Sequence, residues 1–271
     1  MNLLQHPVPA DPGTGWPGCA RRFDDWAASY DLSPLQTMLY GPVHDAVLRY
    51  ARQHVRHPGM ILDVGCGTGR LSARLASAYD QARVVGIDAS TQMIHYAATT
   101  TVPRRSRFAA SLAERLPLAD AVFDLVVVTL SVSHWRDRAG GLAQISRVMA
   151  PDGTLVAAGP SSAWPSSARP FRPVTRRTRR GTPWLPGELP ALIAACGLQV
   201  ERVEPIPSVA TIADAVMVAA RTTPVRQPPG RCGAEPRPFG PYRLRDRNRV
   251  RWPEDPAGRS RVARFSTCLG Q

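Results

Sequence analysis

The chain has 271 residues, of which 44% are hydrophobic, so it is long enough to bury one sizeable core and still carry a cap or a tail. Its formal charge of +13 would ordinarily indicate an acidic partner such as nucleic acid or anionic lipid. The sequence contains no lysine, however, so all 34 basic residues are arginine. Together with abundant alanine and proline, that bias is typical of a GC-rich genome. It weakens the case for phosphate binding, and we do not expect a nucleic-acid partner.

The cysteines indicate a reducing compartment. There are five, with no close pair that could begin a zinc or disulfide framework. Residues 1–18 lack the apolar stretch of a signal peptide, and no apolar run approaches the roughly 20 residues needed to cross a bilayer. These features predict a cytoplasmic protein without a membrane span.

The amino-terminal region is predicted to be a loose leader followed by a helical cap. Residues 1–20 are rich in proline and glycine, which predicts a flexible leader. Residues 21–57 carry interrupted helical periodicity, with Pro34 and Pro42 where helices restart. We therefore expect helices that pack one face against the rest of the protein.

A strict alternation of strands and helices follows and predicts a doubly wound α/β sheet with right-handed crossovers. Residues 123–130 are the most apolar segment, as expected of a central strand that is buried on both faces. Pro151–Gly153 should form a type I turn before the fifth strand. The strands are predicted at 60–64, 83–88, 107–111, 123–130 and 154–158, with helices between them.

The last third of the chain is less regular. Residues 161–186 form an irregular segment rich in arginine, tryptophan and proline, which we expect to cover the site. A helix that ends at Gly197 and two more strands, at 198–205 and 213–221, complete the sheet. Residues 222–271 hold 11 arginines against 4 acidic residues and show no hydrophobic period, which predicts a disordered tail. The folded domain is thus expected to span residues 21–221.

The segment Ile61–Arg70 is the most informative part of the sequence. It reads as a strand, a glycine turn and a helix, and turns of this kind face the ligand in doubly wound sheets. Gly65, Gly67 and Gly69 allow positive φ values and close approach to a ligand. Asp88 ends the second strand, where a carboxylate can accept both hydroxyl groups of a ribose. The pattern predicts a nucleoside cofactor.

Two classes of cofactor share this pattern, and Asp63 distinguishes them. A dinucleotide fingerprint would place its third glycine at Arg70, which is bulky. The carboxylate of Asp63 would repel a diphosphate but suits a ligand with an ammonium and a sulfonium group. The residues therefore favour S-adenosylmethionine over NAD.

Five stretches together resemble the class I S-adenosylmethionine-dependent methyltransferases. The nearest subgroup is the small-molecule branch that includes ubiquinone and menaquinone biosynthesis methyltransferases, and residues 23–31 are similar to its amino-terminal helix. The resemblance covers about residues 21–221 and implies a Rossmann-like seven-stranded sheet whose last strand is antiparallel. Its motifs lie at residues 61–69, 84–90, 113–117, 123–127 and 144–153.

The resemblance also implies a role for each matching position. The methionine end of the cofactor would lie on Asp63 and the loop from Gly65 to Gly69, with the ribose on Asp88. One departure concerns adenine, because Leu112 stands where the family usually has an aspartate that accepts the adenine amine. The cofactor-binding set is Asp63, Gly65, Cys66, Gly67, Gly69, Asp88, with Ala89, Met93 and Ala113 near the adenine and Tyr30 closing over the cofactor.

A candidate general base follows the central strand. His134 should lie at the mouth of the site, where it could deprotonate a methyl acceptor or form part of the pocket wall. Cys66 is expected to serve as a small side chain rather than a nucleophile. No spaced His, Cys or acidic cluster indicates a metal.

The expected function is methyl transfer to a small, apolar or aromatic metabolite. Two alternatives stay open at this point. An RNA methyltransferase could use the arginine-rich stretch 169–180, although a solvated loop is the simpler interpretation. A non-catalytic S-adenosylmethionine-binding module is conceivable because of Leu112. The sequence identifies neither the acceptor atom nor the oligomeric state.

Overall fold

The structure, a computed structural model, describes residues 16–100, 105–160, 187–206 and 215–222. The predictions for residues 1–15, for the whole segment 161–186 with its arginine-rich stretch, and for the tail from residue 223 onward lie outside these ranges.

Helices and strands alternate through the centre of the chain, as predicted. The helices are α1 (Trp16–Tyr30), α2 (Gly41–His54), α3 (Arg70–Ala78), α4 (Thr91–Thr100), α5 (Arg138–Val148) and α6 (Glu188–Ala195). The strands are β1 (Met60–Val64), β2 (Arg83–Asp88), β3 (Ser106–Ala110), β4 (Phe123–Thr129), β5 (Met149–Pro160), β6 (Leu198–Ile206) and β7 (Ala215–Thr222). A short π-helical segment, Gln36–Tyr40, joins α1 to α2.

The seven strands form one sheet in the order β3-β2-β1-β4-β5-β7-β6. Strands β1 to β5 pair in parallel, whereas β7 is antiparallel to both β5 and β6. This confirms the Rossmann-like doubly wound sheet with an antiparallel last strand that the resemblance implied.

Alternating side chains of the central strands build one hydrophobic cluster on each face of the sheet. Leu62 and Val64 of β1 belong to one cluster, with Trp135 and the apolar side of α5. Ile61 belongs to the other, with α2 and α3. Because strand side chains alternate between faces, Asp63 lies on the same face as Ile61, under α3. β1 is buried along its whole length, so any charge it carries is taken out of water.

Two predicted boundaries are wrong. Helix α1 begins at Trp16, inside the predicted leader, and its second residue is a proline, which suits the first turn of a helix because its missing N–H needs no partner there. Strand β5 begins at Met149 rather than Thr154. Asp152 has a φ of 63°, so the segment 151–153 is a left-handed irregularity within the strand rather than a type I turn.

The carboxyl ends of β1 to β4 meet at one edge of the sheet. The loops after β1 and β2, residues 65–69 and 88–93, form what we term the cofactor edge. Residues 16–54, comprising α1, the π-helical segment and α2, are termed the cover. Side chains of α1 contact the loops after β1, β2 and β4, so the cover lies across this edge.

Candidate functional site

The glycine loop after β1 is held against β2 by its own backbone. The N–H groups of Gly65 and Cys66 both donate to the carbonyl oxygen of Ile87, at 2.7 and 3.1 Å. Gly65, Gly67 and Gly69 all have positive φ, at 78°, 54° and 81°. Such a backbone is costly for residues with a Cβ, which explains the glycine spacing.

The first two glycines serve different purposes. A Cβ on Gly65 would lie 2.3 Å from the Cβ of Ser131, whose hydroxyl donates to the Val64 carbonyl at 3.0 Å. A Cβ on Gly67 would meet only the ring of Tyr30, at 3.8 Å. Gly65 is therefore required by packing against the loop after β4, whereas a Cβ on Gly67 would only touch the ring of Tyr30.

Asp88 holds the two loops of the cofactor edge together. One carboxylate oxygen accepts from the N–H of Gly67 and the other from the N–H of Ser90, both at 2.9 Å. Burial raises the pKa of Asp88, while these backbone donors act in the opposite direction. The carboxylate thus stands between the glycine loop and the start of α4, with acceptor capacity left on both oxygens.

Asp63 is a buried acid with half of its hydrogen-bonding capacity unused. It is 1% exposed, and its Oδ2 accepts from the hydroxyl of Ser72 at 2.6 Å. Its Oδ1 is buried with no partner among the described residues. Burial raises its pKa to about 7, and the nearby charge of Asp88 acts in the same direction.

The residues expected near adenine are apolar. Met93 is buried in the first turn of α4, and Ser90 caps that helix by accepting from the Met93 N–H at 3.1 Å. Ala113 is buried in a single 3₁₀ turn after β3, and Leu112 immediately precedes it. This side of the edge consequently presents apolar surface where the family usually has a carboxylate.

Cys66 is structural. Its sulfur lies against the position that a Cβ on Gly86 would occupy, at 2.9 Å. Burial raises the pKa of its thiol well above the usual range. A thiol kept in its neutral form is a poor nucleophile, in agreement with the role expected from the sequence.

An aromatic layer on the inner side of the cover faces the cofactor edge. The ring of Tyr30 packs against Trp26 at 4.8 Å and Tyr40 at 5.3 Å between centroids. Phe23 meets the imidazole of His134 edge-on at 5.2 Å. Aromatic rings of the cover thus lie over Gly67 and beside His134.

Two aspartates of the cover, one in α1 and one just after it, fasten the cover to the edge. Asp24 accepts from the Ser90 hydroxyl at 2.6 Å and from the Gln92 N–H at 3.1 Å, at the start of α4. Asp31, which follows the last residue of α1, accepts from the Thr68 hydroxyl at 2.8 Å and lies 3.8 Å from the guanidinium of Arg70. Both loops of the cofactor edge are therefore tied to the cover.

His134 stands beneath α1 in a 3₁₀ turn at Val132–His134. Burial lowers the pKa of its imidazole to about 4, and the charges of Arg22 and Arg138 act in the same direction. The ring is accordingly neutral at pH 7, and one of its nitrogens carries a lone pair. In the ligand-free protein this nitrogen is a weaker base than an ordinary imidazole, because burial disfavours its charged form.

Comparison with known proteins agrees with this geometry. Residues 62–157, from β1 into β5, match the family described as "Methyltransferase domain". The chain contains a class I S-adenosylmethionine-dependent methyltransferase domain. The glycine loop, Asp88 and His134 all fall within the matched residues, and the donor used by this class is S-adenosylmethionine.

The relatives of this domain carry names that assign them different substrates. The chain is 32% identical over 164 residues to the malonyl-[acyl-carrier protein] O-methyltransferase of Methylovorus sp., an alignment that covers 58% of this chain and 53% of that protein. It is 35% identical over 100 residues to the ubiquinone/menaquinone biosynthesis C-methyltransferase of Syntrophotalea carbinolica, covering 36% and 42%. The chain thus spans about half the length of these curated relatives.

Solved structures share the fold at low identity. A S-adenosylmethionine-dependent methyltransferase from Aquifex aeolicus superposes with a TM-score of 0.56 at 18% identity, covering 78% of this chain and all of that one (100%). At such identity the likeness concerns the fold alone.

The structure brings the sequence-predicted residues to one edge of the methyltransferase domain. Asp63, Asp88, Ala89, Met93 and Ala113 lie at or beside the carboxyl ends of β1, β2 and β3, around the glycine loop, with Tyr30 above Gly67 and His134 after β4. Their roles in binding stay predictions.

Sequence reasoning missed the residues that join the parts of the site. Asp24, Asp31, Ser72 and Ser131 each make a contact across elements. Glu114 does the same, since its Oε1 accepts from the N–H groups of Arg136 and Asp137 at 2.8 and 3.0 Å. Spacing along one chain carries no signal for such contacts.

Metal-binding clusters and membrane-spanning helices are both absent from the part of the chain that the structure describes. Within 16–100, 105–160, 187–206 and 215–222, no group of three or more His, Cys, Asp or Glu could hold a metal ion. In the same part of the chain, no helix is both long and apolar enough to span a bilayer.

Proposed function

We propose that this protein transfers a methyl group from S-adenosylmethionine to a small, apolar or aromatic acceptor. The donor would lie on the cofactor edge and the acceptor between that edge and the cover. The observation that carries the proposal is Asp63: a buried carboxyl with an unpartnered oxygen, beside a glycine loop and a second acid.

Electrostatics support the choice of donor. The charge of Asp88 acts on Asp63, and neither acid forms an ion pair with any residue that the structure describes. A buried acid without a counter-ion is stabilised by a cationic ligand and destabilised by a diphosphate. The ammonium and sulfonium groups of S-adenosylmethionine fit this requirement.

Each part of the donor has candidate contacts. Asp63 and the loop Gly65–Gly69 would hold the methionine end, and Asp88 would accept the ribose hydroxyls. Ala89, Met93 and Ala113 would border the adenine, with backbone groups in place of the missing side-chain acceptor at Leu112. Tyr30 would close over the donor, because its ring already lies over Gly67.

The aromatic layer supports an acceptor with apolar surface. Phe23, Trp26, Tyr30 and Tyr40 line the inner side of the cover. The relatives' names, which include a malonyl-[acyl-carrier protein] and a quinone-pathway methyltransferase, are compatible with small acceptors or small groups on a carrier.

His134 is proposed as the proton acceptor. When bound, S-adenosylmethionine supplies an electrophilic methyl group on a positively charged sulfur. The neutral imidazole of His134 would take up the proton that the acceptor's nucleophilic atom loses on methylation. Positioning by the cover provides most of the rate, and a base adds about 10²- to 10⁴-fold.

The test is production of adenosylhomocysteine with a panel of small phenolic and carboxylic acceptors. We expect acceptor-dependent turnover, and a fall of about 10²-fold or more in His134→Gln with adenosylhomocysteine affinity unchanged. His57→Gln, an exposed histidine before β1, is the matched control and should be silent. Unchanged turnover in His134→Gln would remove the base role. Failure of the wild type to bind adenosylhomocysteine would remove the proposed function.

A further inference from the structure

One face of α1 faces the site, and Arg22 places a positive charge on that face. Arg22, Trp26 and Tyr30 are spaced four residues apart, so they lie on the same side of the helix. All three are half-buried, whereas Arg21 and Asp25 are exposed on the other side. Since Tyr30 lies above Gly67 and Trp26 packs against Tyr30, Arg22 extends this face beyond the aromatic layer.

The charge of Arg22 acts on two groups beside this face of α1. It adds to the effect of burial in lowering the pKa of His134, and it opposes the effect of burial, which raises the pKa of Tyr40. Phe23, the next residue of the helix, contacts the ring of His134 edge-on. Arg22 is therefore on the part of α1 that lies near the proposed base.

The other charged side chains near this face of α1 have hydrogen-bond or ion-pair partners. Asp24 of α1 and Asp31, just after it, accept hydrogen bonds from the cofactor edge. Arg138, the second arginine that acts on His134, lies 3.6 Å from the carboxylate of Glu188. Arg22 makes no hydrogen bond or ion pair with any residue in the described ranges. A half-buried guanidinium beside a neutral imidazole lacks the anion that such a charge ordinarily has.

We propose that Arg22 binds a carboxylate of the methyl acceptor, which makes the acceptor class a carboxylic acid with an apolar body. The inference rests on the proposed function and refines it. A planar guanidinium pairs with a carboxylate through two parallel hydrogen bonds. One uncompensated positive charge matches one negative charge, so a monoanion fits better than a dianionic phosphate ester.

This assignment divides the site by charge. Acids on the cofactor edge select a cationic donor, and Arg22 on the cover selects an anionic acceptor. The two ligands would then attract each other across the site, which holds the nucleophile close to the methyl group.

The test measures calorimetric binding of acids and their amides to protein saturated with adenosylhomocysteine. The probes are trans-cinnamate with cinnamamide, and octanoate with octanamide. We expect at least one carboxylate to bind about 10-fold or more tightly than its amide. Arg22→Gln should abolish that preference and Arg22→Lys should retain part of it. Arg21→Gln removes an equal charge from the exposed side of the same helix and should have no effect.

Three results would overturn the assignment. Acids and amides could bind equally, or not at all, to the wild type. The preference could survive in Arg22→Gln or be lost equally in Arg21→Gln. Phenyl phosphate could bind more tightly than either carboxylate. Adenosylhomocysteine binding is measured first, so its absence would reject the proposed function itself, whereas its presence without a carboxylate preference would reject only the role of Arg22.

Discussion

The cofactor edge and the cover are built in different ways. Residues of the cofactor edge are joined mainly by backbone groups and short-range geometry, as where two loop N–H groups share the Ile87 carbonyl. Helix α1 of the cover meets the edge through side chains, among them Asp24 and Tyr30, with Asp31 just after the helix. Helix α2, by contrast, packs its apolar side chains into the hydrophobic cluster on one face of the sheet. The edge is therefore fixed by backbone contacts, whereas α1 depends on a few side-chain contacts.

This difference indicates which part of the site determines the class of each ligand. The edge needs glycines and acids in fixed positions, so its ligand class is readable from a short motif. The cover only needs to fill space and compensate charge, so its residues differ with the acceptor. Among the residues the structure describes, Asp63 on the edge has one carboxylate oxygen without a partner, and the guanidinium of Arg22 on the cover has no ion pair.

The largest expected effect comes from Asp88. Asp88→Ala removes the acceptor of the ribose hydroxyls and leaves the Gly67 and Ser90 N–H groups without their partner. Losing about 3–4 kcal/mol of charge-assisted hydrogen bonding should weaken adenosylhomocysteine binding by about 10²- to 10³-fold in calorimetry. Asp80→Ala, an exposed aspartate before β2, is the control. Equal affinity in the Asp88 variant would contradict the edge as described.

The two glycines of the loop separate packing from binding. Gly65→Ala should destabilise the fold by about 2–4 kcal/mol, because its Cβ meets Ser131 and its φ is positive. Gly67→Ala should cost only about 1 kcal/mol in stability but reduce adenosylhomocysteine affinity more than its loss of stability explains. Denaturant unfolding measures the stability of each variant, and calorimetry measures its affinity for adenosylhomocysteine. Ser131→Gly should partly rescue Gly65→Ala, and no rescue would show that the clash is not the cause.

The same contrast explains what the sequence could predict. The alternation of strands and helices and the glycine loop follow from periodicity and a local motif, because a strand, a turn and a helix are contiguous in the chain. The antiparallel last strand was implied by the resemblance alone, and the order of the strands comes from the structure. Asp88 is predictable as a ribose acceptor because it ends the next strand of the sheet. The contacts of Asp24 with Ser90 and of Asp31 with Thr68 join residues far apart in sequence, and Arg22 looks like any other arginine in an arginine-rich chain. Only the packing of α1 distinguishes it from Arg21.

Asp63 gives the cofactor edge a pH dependence. Its pKa of about 7 applies without ligand, and a bound cation favours the ionised form. Affinity for S-adenosylmethionine should therefore rise about tenfold between pH 6 and pH 8 and level off above. The raised pKa also means that ligand-free stability declines as pH rises from about 4 through 7. Asp63→Asn should flatten both profiles, measured by calorimetry and thermal unfolding. A pH-independent wild type would place the donor away from Asp63.

The polar fastening of the cover should have the smallest effect. Asp24→Ala removes two hydrogen bonds to the start of α4, which should weaken adenosylhomocysteine binding about threefold and speed hydrogen exchange in α1. Asp25→Ala changes an exposed neighbour and should alter neither. If Asp24→Ala left exchange unchanged, the aromatic layer alone would be holding the cover.

The most direct measurement compares adenosylhomocysteine and S-adenosylmethionine with NAD⁺ in calorimetric titrations of the wild-type protein at pH 8. The account predicts saturable binding of both sulfur nucleosides and no heat from NAD⁺, because two buried acids without a counter-ion repel its diphosphate. Saturable binding of NAD⁺ with no response to either sulfur nucleoside would contradict it.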